Sequence, residues 1–72
     1  MKLKVGDTVI EDDGIVTLVY KIVRVENGIA TGVSEFEGKS YYTIYRARYL
    51  NRKHIKRAKP FRGDLTRIYL AK

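Results

Sequence analysis

The dipeptide Asn27-Gly28 most limits the folds open to this chain, because it separates the β-branched run Ile15–Val25 from a second apolar run that begins at Ile29. Both residues tolerate the positive φ of a two-residue hairpin turn, so the flanking runs are expected to pair as antiparallel strands. The first run, IVTLVYKIVRV, is apolar on both of its alternating sets until Lys21 and Arg24. Such a strand is either buried on both sides or bends through a corner. The next strand is expected from Ile29 to Phe36, with Gly32 inside it as a bulge or a point of close packing.

The same alternation extends to both sides of this hairpin. Upstream, Leu3–Glu11 places Leu3, Val5 and Val9 opposite Lys4, Thr8 and Ile10, and the following Asp12-Asp13-Gly14 supplies a tight turn. Downstream, residues 37–40 turn the chain into Tyr41–Leu50. There Tyr41, Thr43, Tyr45, Ala47 and Tyr49 share one face, and Tyr42, Ile44, Arg46, Arg48 and Leu50 share the other. Only one of these faces can be fully buried, and the choice decides whether tyrosines or arginines meet a ligand.

From Leu50 the period-two pattern fails. A helical step of roughly 100° per residue gathers Leu50, Asn51, His54, Ile55 and Ala58 into one arc. Arg52, Lys53, Lys56, Arg57 and Lys59 fill the remainder. One or two helical turns, partly of the tighter 3-10 kind, are therefore expected, ended by Pro60. Arg62-Gly63-Asp64 then makes a turn, and Leu65–Ala71 reads as a last strand with Thr66, Ile68 and Leu70 on one face.

Seventy-two residues can enclose one core, so a single domain spanning 1–72 is expected. The chain has no cysteine and one histidine, which excludes a disulfide framework and thiolate or imidazole metal sites. No run approaches the roughly 18 apolar residues of a membrane span, and MKLKVGDTV has no signal-peptide apolar region. A soluble, cytoplasmic protein is the expectation.

The order of four strands, a short helix and a fifth strand resembles the Src-homology-3-like small barrel, the fold shared by Tudor and KOW-type domains. The residues that carry the resemblance are Val5–Val9 (VGDTV) entering the first strand, the central turn at Glu26-Asn27-Gly28, and the helical stretch before the last strand. The resemblance implies a mainly β, five-stranded antiparallel barrel with one short helix between the fourth and fifth strands. It also implies a nucleic-acid or protein partner. The connection from Leu50 to Asp64 is longer than the single turn usual there. The aromatic motif used for proline-rich peptides is absent, so that activity is not implied. The nearest rival is the oligonucleotide-binding fold, which places its helix one strand earlier.

Charge divides the chain sharply. Residues 1–40 hold five Lys or Arg against seven acids, a net of −2, whereas residues 41–72 hold ten against Asp64 alone, a net of +9. A one-signed field of this kind attracts polyanions. The cations of the expected helix have no Glu four residues away to offset their mutual repulsion, so an anionic partner explains them better than a merely solvated face. The leading expectation is a non-enzymatic nucleic-acid-binding module. Its phosphate contacts are assigned to Arg46, Arg48, Arg52, Lys53, Lys56, Arg57, Lys59 and Arg62, with Tyr41, Tyr45 and Tyr49 as base-stacking candidates. Contacts of this type position a protein without reading sequence.

A second expectation is a protein-interaction module, an inhibitor or assembly factor that docks the basic face on an acidic protein. Insertion into a membrane is disfavoured by the small apolar area of the stretch. Unpaired strand edges are compatible with a homodimer. No catalytic triad, glycine-rich phosphate loop or carboxylate pair stands out, so neither an enzyme nor a cofactor is expected. His54 reads as a half-buried helix residue, and Glu11, Asp12 and Asp13 as a solvated turn with too few oxygens for a hard cation.

Overall fold

In the computed structural model, which describes all of residues 1–72, the two runs flanking Asn27-Gly28 do pair. The strands are β1 (Thr8–Asp12), β2 (Thr17–Glu26), β3 (Ile29–Phe36), β4 (Lys39–Arg46) and β5 (Arg67–Leu70). They form one sheet in the order β4-β3-β2-β1-β5, with every neighbouring pair antiparallel. The turn between Glu26 and Ile29 places Asn27 at φ 52° and Gly28 at φ 78°, as a twisted two-residue hairpin requires. A second turn of the same kind joins Phe36 to Lys39, and here Glu37 takes the positive φ of 52°.

The doubly apolar run of β2 is explained by a bulge. Register shifts between Ile22 and Arg24, so Ile22 opposes Gly32 while Arg24 opposes Thr31. Tyr20 and Ile22 point into the core before the irregularity and Val25 packs against it afterwards, leaving Val19 and Val23 outside. Of the two readings of this run, the bent strand is the one observed. Gly32 is a point of close packing: an added Cβ would lie 3.1 Å from both Tyr20 Cβ and Tyr45 Cε2.

At the N-terminus the expected strand from Leu3 is interrupted. Gly6 adopts φ 98° in a turn closed by Asp7 N–H to the Lys4 carbonyl, and Val5 is left exposed. Leu3 instead donates its N–H to the Ala47 carbonyl at 2.8 Å, beyond the end of β4. The last strand is shorter than expected, with Leu65 exposed, yet Ile68 is buried and Leu70 packs on the core.

No helix forms between β4 and β5, and this corrects the reading of residues 50–59. A turn closed by His54 N–H to the Asn51 carbonyl is followed by an extended trace along the sheet edges, and a second turn is closed by Asp64 N–H to the Phe61 carbonyl. Arg46 N–H bonds the Lys56 carbonyl at 2.8 Å and Ala58 N–H bonds the Ile44 carbonyl at 3.0 Å. On the other side, Leu70 N–H reaches the Arg52 carbonyl at 2.7 Å. Residues 52–58 therefore span the gap between β5 and β4, which do not pair with each other. The physical reason is hydrogen-bond satisfaction. A helix of two turns leaves most of its own terminal groups unpaired and bears the cost of nucleation, whereas an extended trace gives the outer edges of β4 and β5 partners.

One core results, built from Leu3, Val9, Tyr20, Ile22, Ala30, Tyr45, Ala47, Ile55 and Ile68. Of the arc expected to face inward, only Ile55 is fully buried; Leu50 and His54 are exposed. No helix is long and apolar enough to cross a membrane.

The two hairpin turns invite a comparison within one molecule. Asn is favoured at positive φ and Glu is not, so Glu37→Asn is expected to stabilise the exposed β3–β4 turn by about 0.5–1 kcal/mol. The thermal unfolding midpoint should rise by roughly 2–8 °C. The reciprocal Asn27→Glu should lower it, and an unchanged midpoint in both variants would refute the turn assignment.

Candidate nucleic-acid interface

The site is organised by a charge inside the protein. Glu11 follows Val9 on the inward set of β1 and is 4% exposed, the one charged residue that is fully buried. Its Oε2 accepts the Tyr45 hydroxyl at 2.5 Å, and its Oε1 pairs with Arg57 Nη2. The other guanidinium nitrogen, Nη1, pairs with Asp64 Oδ2, and Asp64 Oδ1 accepts the Thr66 N–H at 3.1 Å. The Arg57 guanidinium carbon also lies 5.2 Å from the centre of the Phe61 ring. No buried side-chain polar atom is left without a partner.

This network shifts its members in consistent directions. Burial, with the adjacent Glu11 carboxylate second, pushes the Tyr45 hydroxyl well above its ordinary value, and burial raises Tyr20 as well. For Arg57, desolvation works against the charge, but Glu11 and Asp64 outweigh it and hold the guanidinium protonated. Desolvation likewise opposes ionisation of Asp64, and the Thr66 N–H together with Arg57 outweighs it, keeping the carboxyl below its ordinary value.

Two of the residues assigned to a ligand are thereby accounted for otherwise. Arg57 is not an unpaired surface cation: its side chain is largely buried between two carboxylates. Tyr45 is fully buried against Tyr20 and cannot stack a base. The inward face of β4 is thus the tyrosine face, and Arg46 and Arg48 belong to the outward one. The other two stacking candidates separate. Tyr41 lies near Leu18 and Phe36 at the far end of the sheet, whereas Tyr49 is half-buried near the cations. Arg52 is exposed but donates to the Ala71 carbonyl at 2.8 Å.

The remaining six cations, Arg46, Arg48, Lys53, Lys56, Lys59 and Arg62, are exposed, and none takes part in an ion pair. Three of them converge. Arg46 and Arg48 project from β4 and its extension, and Lys56 sits opposite Arg46 across the backbone bond of residues 46 and 56. With Met1, Tyr49, Leu50 and His54 they line a surface groove. A second groove shares Arg46 and Lys56 and continues past Arg57 and Pro60 to Phe61. His54 Nδ1 is 2.6 Å from Asn51 Oδ1, which orients the ring at the groove wall.

Sequence reading missed Glu11 as a core group and Phe61 and Leu50 as exposed apolar residues beside the cations. The signal for Glu11 was its place two residues after Val9. For Phe61 it was an aromatic ring inside a basic run. No group of three metal-ligating side chains converges anywhere. No protein-family model, curated protein or solved structure matches this chain.

Two predictions separate the buried network from the surface. Replacing Arg57 by Met strips Glu11 of its countercharge and is expected to cost about 3 kcal/mol in urea unfolding. Lys56→Met, at an exposed unpaired position next to it, should stay within about 0.5 kcal/mol. Equal effects would contradict the inward assignment of Arg57. Alkaline pH tests Tyr45. Its folded-state pKa is raised, so the stability it contributes is complete below the ordinary tyrosine value of 10.0 and declines as pH rises past that value. The urea midpoint should therefore fall more steeply above this pH in the native protein than in Tyr45→Phe. Tyrosinate absorbance should show a fraction of the hydroxyls ionising only on unfolding.

Proposed function

We propose that the protein is a non-enzymatic nucleic-acid-binding module of small-barrel type. In this reading Arg46, Arg48 and Lys56 hold the phosphate backbone, and Lys53, Lys59 and Arg62 extend the cationic surface. The observation that carries the reading is the convergence of three exposed cations without ion pairs on a groove that also offers His54 and Tyr49. Asp64, the one acid of residues 41–72, is turned onto Arg57, so nothing in that half of the chain offsets the groove. A polyanion brought there releases counterions and gains charge-assisted hydrogen bonds from two guanidinium groups. Contacts confined to phosphate position the ligand without selecting a sequence. The runner-up, an acidic protein on the same face, draws on the same charge.

Fluorescence anisotropy with labelled oligonucleotides at several salt concentrations tests the proposal. Neutralising about five phosphates should give a slope of log affinity on log salt of roughly −3.5 to −4.5. Reversing Arg46, Arg48 and Lys56 to Glu should abolish binding while the thermal midpoint is retained. Poly-glutamate should compete weakly. Direct binding of labelled poly-glutamate, with no oligonucleotide binding at low salt, would replace the reading with the acidic-protein one.

A further inference from the structure

The two joined grooves have an order that charge alone does not explain. At one end stands Leu50, 81% exposed, and at the other Phe61, 61% exposed, with Arg46 and Lys56 common to both grooves between them. They are two of many exposed apolar side chains, and what sets them apart is their place beside a cationic track. Phosphates satisfy the middle of the track but not its ends.

A duplex does not satisfy them either. Its bases are stacked on one another, so it presents phosphates and groove edges but no free aromatic face. An unpaired base does present one, and every base has it. Phe61 is prepared for such a partner. The Arg57 guanidinium lies over its ring at 5.2 Å, and that guanidinium is itself held by Glu11 and Asp64. The ring is thus supported by a side chain that cannot swing away without leaving a buried carboxylate unpaired. Its remaining surface is open.

We infer that the protein binds single-stranded nucleic acid, its phosphates on Arg46 and Lys56 and one unpaired base stacked on Phe61. The inference rests on the nucleic-acid reading above. It adds the strand state of the ligand and a base-contacting residue. Arg57 is then a positioning residue: it orients the ring from behind and does not touch the ligand.

The chain contains no tryptophan, so Phe61→Trp introduces a single reporter at the stacking position. Titration with a thymidine or uridine oligomer of about ten nucleotides should quench its emission. The same oligomer made abasic should bind through its phosphates without quenching. Phe61→Ala should weaken single-strand binding roughly ten-fold, leave the salt slope unchanged and keep the thermal midpoint. A blunt duplex of equal length should bind the native protein more weakly, with no further loss in Phe61→Ala. Two results would overturn the inference while leaving the nucleic-acid reading intact: single-strand affinity unchanged in Phe61→Ala, or a duplex bound at least as tightly as the single strand. Absence of binding to every nucleic acid would overturn both.

Discussion

One buried carboxylate sets the terms for the second half of this molecule. Glu11 sits on the inward set of β1, where an unpaired charge would be severely destabilising. Tyr45 from β4 and Arg57 from the connection to β5 satisfy it, and Arg57 in turn binds Asp64. Strands β1 and β4 and the connection to β5 are thereby tied together. The demand for a guanidinium at that point holds residue 57 close to the sheet. The bridge between Tyr45 and Arg57 places its backbone alongside β4. The trace of residues 52–58 follows from satisfying both the charge and the open strand edges.

The same network shapes the outer electrostatics. Two carboxylates converge on a single arginine, and one of them is the lone acid of residues 41–72. Neutralisation is thus spent inside, where desolvation makes it necessary. The outer cations keep their charge unopposed, since Arg46, Arg48 and Lys56 have no acidic neighbour within ion-pair distance. A polarised surface of this sort raises the local concentration of anionic partners. The ring of Phe61 belongs to both worlds, backed by the inner arginine and open to the outer track.

The hairpins were legible because their information is local. Asn27-Gly28 and Glu37-Gly38 fix turn geometry within a few residues, and the alternating pattern follows from the pleat. The stretch 50–59 was not legible. Its cations segregate equally well onto a helical arc, and periodicity cannot see that two strand edges elsewhere need hydrogen-bond partners. Arg57 shows the same limit at the level of one side chain: among consecutive basic residues nothing local marks the one whose counterion lies 46 positions away. Tyr45 was ambiguous for a different reason, because both faces of its strand carry aromatic residues and the burial of one depends on which elements cover it.

By itself, then, the sequence determined the antiparallel strands, their turns, the single core and the separation of charge between the halves. These depend on backbone preference, side-chain alternation and composition, all properties of short segments. The tertiary structure alone decided the extended path between β4 and β5, the withdrawal of Arg57 and Tyr45 from the surface, and the convergence of Arg46, Arg48 and Lys56. Each of these results from satisfying a hydrogen bond or a buried charge between residues remote in the chain, which no local pattern encodes.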